Sequence, residues 1–103
     1  MKRKSAQEFD RSKPVLLKNV KNFGPVCAAE FASFGVTTLD QLEELGFEES
    51  ARLWVEHFPE RLNANAFVGI IATLDGIVWT KASARQRALA QKMVDLLKRE
   101  RRL

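Results

Sequence analysis

Reactive side chains are scarce in this chain, with one cysteine, Cys27, and one histidine, His57, in 103 residues. A lone cysteine excludes an internal disulfide, and one Cys with one His cannot assemble the usual zinc site. A nucleophile elbow, a Gly-x-x-x-x-Gly-Lys phosphate loop and a dinucleotide-binding fingerprint are all missing. Long apolar runs are missing too. The longest near-apolar stretch, Ala64 to Leu74, falls short of the roughly 20 residues that span a bilayer. The basic start Met1-Lys2-Arg3-Lys4 is not followed by the apolar core of a signal peptide. The expectation is a cytoplasmic protein without a membrane segment, a metal or a cofactor, and not an enzyme. Nothing reads as a strand hairpin, so the fold is expected to be all-α.

What is present suits a single globular domain. Hydrophobic residues at 46% and charged ones at 29% are ordinary for a soluble protein. A chain of this size buries roughly two-thirds of its surface on folding. Charge is unevenly spread: residues 1–21 carry +5, residues 22–80 carry −7 and residues 81–103 carry +6. The acidic centre lies between two basic ends, and basic ends attract nucleic acid or an acidic partner, although they also serve as solubilising tails.

Residues 1–11 read as a basic flexible tail, with Phe9 docking on the body, and residues 12–103 as one helical domain. Ser12 caps a short first helix that tolerates Pro14 in its first turn and turns Leu16, Leu17 and Val20 inward. The second helix runs from Pro25 to about Phe34. Cys27, Phe31 and Phe34 form its inner face, Glu30 and Ser33 its wet side, and Gly35 its C′ residue. Thr38 and Gln41 form a capping box for a third helix, which Gly46 ends. A fourth, Glu48 to Phe58, places Phe47, Ala51, Trp54, Val55 and Phe58 on one stripe. Asn63 caps a fifth, Ala64 to about Asp75, whose apolarity extends beyond one face and marks it as the central core helix. Ile77, Val78 and Trp79 pack in an extended connection. Ser83 and Gln86 form a second capping box for a sixth helix to about Arg101. Its buried stripe is Leu89, Met93, Leu96 and Leu97, and its exterior Arg85, Lys92 and Arg99. The expected fold is a bundle of five or six short helices.

Cys27 reads as a buried packing residue, His57 as a surface residue, and Trp54 and Trp79 as core anchors, the alternative being that one of the two lines an exposed groove. The acidic pairs Glu43-Glu44 and Glu48-Glu49 read as helix-surface acids. The candidate site is the turn Val20-Lys21-Asn22-Phe23-Gly24-Pro25. There Gly24 supplies a position free of Cβ clash, Asn22 tolerates left-handed geometry and Pro25 suits a first helical turn. Two readings stay open. In one, amides near Gly24, Val26 and Cys27 hold a phosphate of double-stranded DNA, with charge from Lys18 and Lys21 and from the basic face bearing Arg85 and Lys92. In the other the turn only joins two antiparallel helices, and the domain recruits a protein partner through a helix groove.

The stretch Val20 to Ala28 resembles the turn of a helix-hairpin-helix motif. On a larger scale, Leu16 to about Leu97 resembles the C-terminal domain of the TfoX/Sxy competence-regulator family. The residues that carry this are Asn22-Phe23-Gly24-Pro25, Phe34-Gly35-Val36-Thr37-Thr38-Leu39-Asp40-Gln41-Leu42, Leu62-Asn63-Ala64-Asn65 and Leu74-Asp75-Gly76-Ile77-Val78-Trp79. The Gly35 to Leu42 piece is also similar to the C-terminal DNA-binding domain of the bacterial RNA polymerase α subunit. The resemblance implies a small helical bacterial domain tied to transcriptional control of natural competence, through DNA or a protein of the transcription machinery. Two positions depart from a DNA-binding hairpin: Asn22 stands at its first glycine, and Val26 where a cation often follows Gly-Pro.

Overall fold

The computed structural model describes residues 8–101; Met1 to Lys4 and most of the expected tail lie outside the described residues. The described chain is all-α. It consists of α1 (Pro25–Ser33), α2 (Leu39–His57), α3 (Ala64–Asp75) and α4 (Ala84–Arg101), with 3-10 turns at Leu17–Asn19, Pro59–Arg61 and Trp79–Lys81. Phe9, at the end of the tail, packs partly buried against the core, and Arg11 pairs with Asp40 and Glu43 of α2.

The helix starts follow from local chemistry. Thr38 Oγ1 accepts from the Gln41 N–H at 3.2 Å, and Gln41 Oε1 accepts from the Thr38 N–H at 3.1 Å. Ser83 and Gln86 make the same reciprocal pair at 3.1 and 2.7 Å, and Asn63 Oδ1 accepts from the Ala66 N–H at 2.8 Å. Each cap satisfies an amide that would otherwise be orphaned at a helix start. Helix α3 is the centre of the packing: Phe67, Val68, Ile70 and Ile71 are buried, and both α2 and α4 lie against it. Gly46 breaks α2 where a third helix was expected to end and a fourth to begin, so the two expected segments meet at a kink. Gly46 sits at the bend with φ 78° and ψ 175°, a region open essentially to glycine alone.

The first helix expected from Ser12 is not formed. Ser12 donates from both its N–H and its Oγ to Asp10 Oδ1, at 3.0 and 2.7 Å, so it caps nothing downstream. The Val15 carbonyl accepts from the Leu39 N–H at 2.8 Å, and the Leu17 N–H donates to the Thr37 carbonyl at 3.0 Å. Leu16 and Thr38 form an isolated antiparallel bridge. Backbone groups taken by residues 37–39 cannot also build a helical ladder, and a 3-10 turn is what remains. Four α-helical spans therefore stand among the described residues, α2 consisting of two segments kinked at Gly46, and the arm before the Asn22 turn is not an α-helix. Leu16, expected inside, is 40% exposed, while Val15 is buried.

The inner stripe of α4 is also shifted. Ala90, Met93, Val94 and Leu97 are buried, and Leu89 is 47% exposed. Positions 90, 93, 94 and 97 follow the 3.6-residue repeat on one face. Side-chain size favoured Leu89 in the sequence, but the phase of the helix and the small Ala90 decide which face meets α3.

Candidate functional site

The turn ahead of α1 is built as expected at Asn22 and differently at Gly24. The Phe23 N–H donates to the Val20 carbonyl at 3.1 Å, and Asn22 takes a left-handed φ of 80°. Gly24 is extended, φ −83° and ψ 175°, and a Cβ there would meet nothing within 4 Å. Clash avoidance is therefore not what Gly24 does; it is the N-cap position before Pro25. Phe23 is buried beside an aromatic cluster centred on Phe31. The Phe31 ring lies 5.2 Å from Phe23, 5.0 Å from Phe34 and 5.0 Å from Trp54.

The Asn22 side chain ties this turn to a distant segment. Its Nδ2 donates to the Ile77 carbonyl at 2.7 Å, and its Oδ1 accepts from the Trp79 N–H at 3.0 Å. The carboxamide thereby satisfies one acceptor and one donor of a connection that has no helical ladder of its own at those atoms. Beside this junction lies a cleft of about 290 Å³, lined among others by Asn22, Phe23, Trp54, Arg61, Asn65 and Trp79. Three of the four pieces that carry the family resemblance meet here: the Asn22 turn, Leu62 to Asn65, and Leu74 to Trp79. Trp79, expected as a core anchor, is 42% exposed at this cleft; Trp54 is buried as expected.

One wall is held by an ion pair that the sequence pattern hid. Glu30, read as the wet side of α1, has only 12% of its side chain exposed. It accepts from Arg61 Nε at 2.8 Å, from Arg61 Nη2 at 2.5 Å and from Trp54 Nε1 at 2.7 Å. The bonds from Arg61, helped by the one from Trp54 and opposed by burial, hold the Glu30 carboxyl below its usual range. The same bonds raise the Arg61 guanidinium, which also lies 5.5 Å from the centroid of the Trp54 ring, within reach of a cation–π attraction. Cys27 also borders the cleft. Burial pushes its thiol up, so it stays protonated at neutral pH. His57 lies elsewhere, with Nδ1 3.0 Å from the Leu53 carbonyl and its ring stacked on Phe34 at 5.0 Å.

Four cations belong to the segments that meet at the junction. Lys21 precedes Asn22, Lys81 closes the turn that Trp79 opens, and Arg85 lies in the first turn of α4. Arg87 donates from Nε to the Ala82 carbonyl at 3.3 Å and from Nη2 to the Trp79 carbonyl at 3.5 Å. None of these four is ion-paired among the described residues. Asp75 is the acid at this end, and it accepts from Gln86 Nε2 at 2.7 Å. The other expected site residues fall apart from the cleft. Lys18 borders an apolar groove with Leu16, Pro25 and Ala29, on the side where residues 15–17 meet the acidic start of α2. Val26, 62% exposed, borders a shallow groove with Ala29 and Phe58. Lys92 stands seven residues beyond Arg85, about 10 Å along the α4 axis, beside Asp95 and Lys98.

Sequence reasoning missed Arg61, Glu30 and Asn65, and it favoured a core anchor over an exposed groove for Trp79. The usable signal was that Arg61 is one of only two cations between residues 22 and 80, which makes a buried acidic partner worth seeking. Among the described residues no cluster of three His, Cys, Asp or Glu could hold a metal ion, and no helix is long and apolar enough to cross a membrane.

No family model matches the chain, and no curated protein does either. In fold, the chain is similar to the crystal structure, in a triclinic form, of an uncharacterized protein from Listeria monocytogenes. The TM-score is 0.74 at 18% identity, over 82% of this chain and 94% of the other.

Proposed function

We propose that this chain is a non-enzymatic accessory module that contacts the phosphate backbone of DNA at the junction of the Asn22 turn with the start of α4. The observation that carries the reading is the Asn22 bridge to Ile77 and Trp79. It joins the turn that follows Lys21 to the segment leading to Lys81, Arg85 and Arg87, four cations without an acidic partner among the described residues. The first amides of α1 add to this, since no side chain caps them and a helix N-terminus favours a phosphate oxygen. Such contacts position a duplex without reading its sequence. The contact surface is thus narrower than the seven residues named from the sequence. It keeps Lys21, Gly24, Val26 and Arg85, assigns Asn22 to building the junction, and leaves Lys18 and Lys92 outside. A role in transcriptional control, of the kind the TfoX/Sxy resemblance implies, is the setting proposed for this contact. The non-enzymatic reading is supported by Cys27 held as a thiol and by His57 stacked on Phe34, away from it.

A second reading is favoured by a different observation. Val26 and Leu16 are 62% and 40% exposed, beside apolar grooves that share Pro25 and Ala29. An exposed apolar helix face of this kind suits a helical protein partner.

Anisotropy of a labelled duplex at low salt separates the two. The phosphate reading expects Lys81→Ala with Arg87→Ala to weaken binding and Ala29→Gln to leave it unchanged. Equal binding by the wild type and the double variant overturns this contact and places the phosphate contacts elsewhere on the chain, and no binding by either overturns it in favour of the protein-partner surface.

A further inference from the structure

The cleft beside the junction is a site of its own. At about 290 Å³ it lies just below the roughly 300–1,000 Å³ of drug-sized ligand pockets, so it accommodates a single ring system better than a whole nucleotide cofactor. Both tryptophans of the chain line it, Trp79 with 42% of its surface open to an incoming group. Its polar groups divide into two sets. Asn22 and Asn63 are committed to the backbone: Asn22 to Ile77 and Trp79, Asn63 to Ala66. Asn65 is exposed, and its carboxamide, a donor and an acceptor together, lies at the same cleft. Arg61 is oriented by Glu30 through Nε and Nη2, which leaves Nη1 outside that pair.

We infer that this cleft receives an unstacked nucleobase of a single strand, with Trp79 as the stacking face and Asn65 and Arg61 as hydrogen-bonding groups for the base edge. The inference rests on the nucleic-acid reading above and gives that site a preferred ligand. Every base has a π-face for an aromatic platform, and the Watson–Crick edge of an unpaired base carries the donors and acceptors that Asn65 and Arg61 complement. Lys21, Lys81 and Arg87, on the segments adjoining the cleft, supply charge for the flanking phosphates of such a strand. An apolar side chain of a protein would fill the same volume but offer no partner to Asn65 or to Nη1 of Arg61, which costs binding energy. Cys27, a neutral thiol at this wall, adds no charge that would repel the strand.

The chain has two tryptophans and no tyrosine, so its intrinsic fluorescence comes from two residues that line this cleft. The test titrates the full chain with a short homothymidine strand, an abasic strand of the same length and a duplex, following tryptophan emission and the anisotropy of the labelled strands. Base insertion predicts quenching by the homothymidine strand only, and tighter binding of it than of the abasic strand. Trp79→Ala should weaken the homothymidine complex on the order of tenfold, the scale of one lost base–aromatic stack, and leave the abasic complex unchanged. Asn65→Ala, on an exposed position, should act in the same direction with the helical circular dichroism intact. Equal affinity for the base-bearing and abasic strands, without quenching, overturns the base site and leaves the phosphate contact standing. No binding of any strand at low salt overturns both. Quenching by phenylalanine amide with no response to homothymidine would overturn the base site in favour of an aromatic side chain from a protein partner.

Discussion

The carboxamide of Asn22 and the backbone of Trp79 are hydrogen-bonded at 3.0 Å across 57 positions of sequence. With its second bond, to Ile77, Asn22 does two jobs: it takes the left-handed turn conformation and clamps the segment leading to α4. The two jobs separate by mutation. Asn22→Gly keeps the backbone freedom and loses both bonds, so it should cost about 1–3 kcal/mol. Asn22→Ala loses the bonds and also strains φ, adding roughly 1–2 kcal/mol. Urea unfolding of the three proteins should rank wild type above Gly above Ala, and equal stability of Gly and wild type would remove the clamp.

Gly46 gives a cleaner backbone test. A Cβ there meets nothing within 4 Å, so Gly46→Ala creates no clash. Its φ of 78° and ψ of 175° still exclude alanine, and the variant should lose about 1–3 kcal/mol. Thermal unfolding that shows no loss would mean that α2 straightens at no cost.

Ser50 is fully buried on α2, and its Oγ has no hydrogen-bond partner among the described residues. An unsatisfied buried hydroxyl costs about 1–3 kcal/mol, so Ser50→Ala should match or exceed wild-type stability. A clear loss of stability on denaturant unfolding would show that the hydroxyl is in fact partnered.

The caps and the core helix were legible because their chemistry is local. Thr38 with Gln41, Ser83 with Gln86, and Asn63 before Ala64 lie within one helical turn, where spacing alone states the bond. The residues that failed are those whose partners are remote. Val15 to Leu17 looked helical until Thr37 and Leu39 took their backbone groups. Glu30 looked solvated because Arg61 and Trp54 are distant in sequence. Trp79 carries the residue type of a core anchor, and only the position of the Asn22 clamp shows that it stands at a rim. Part of the candidate surface was readable for the same reason. Lys21 and Asn22 sit in a recognisable turn, whereas their assembly with Lys81 and Arg87 is a tertiary fact.

The Glu30 pair gives a pH dependence with a definite sign. Glu30 is held below its ordinary value of 4.5 in the folded chain, first by Arg61 and then by Trp54 against burial. Its stabilising share is therefore complete above that ordinary value and is lost as pH falls through the lower folded value. Glu30→Gln should be less stable than wild type at pH 7 by about 1.5–3 kcal/mol, the scale of hydrogen bonds to a charged group. The gap should narrow below pH ~4. A gap that stays constant from neutral to strongly acid pH would show that the charge of Glu30 contributes nothing.

The central claim is that the cations at the Asn22 junction hold phosphates, and its most direct measurement is the salt dependence of duplex binding. Neutralised phosphates release counterions, so the logarithm of affinity falls linearly with the logarithm of salt by about 0.9 per contact. Replacing Lys81 and Arg87 together by alanine should flatten that slope by roughly 2. A wild-type slope that survives the double replacement unchanged would contradict the account and place the phosphate contacts elsewhere on the chain.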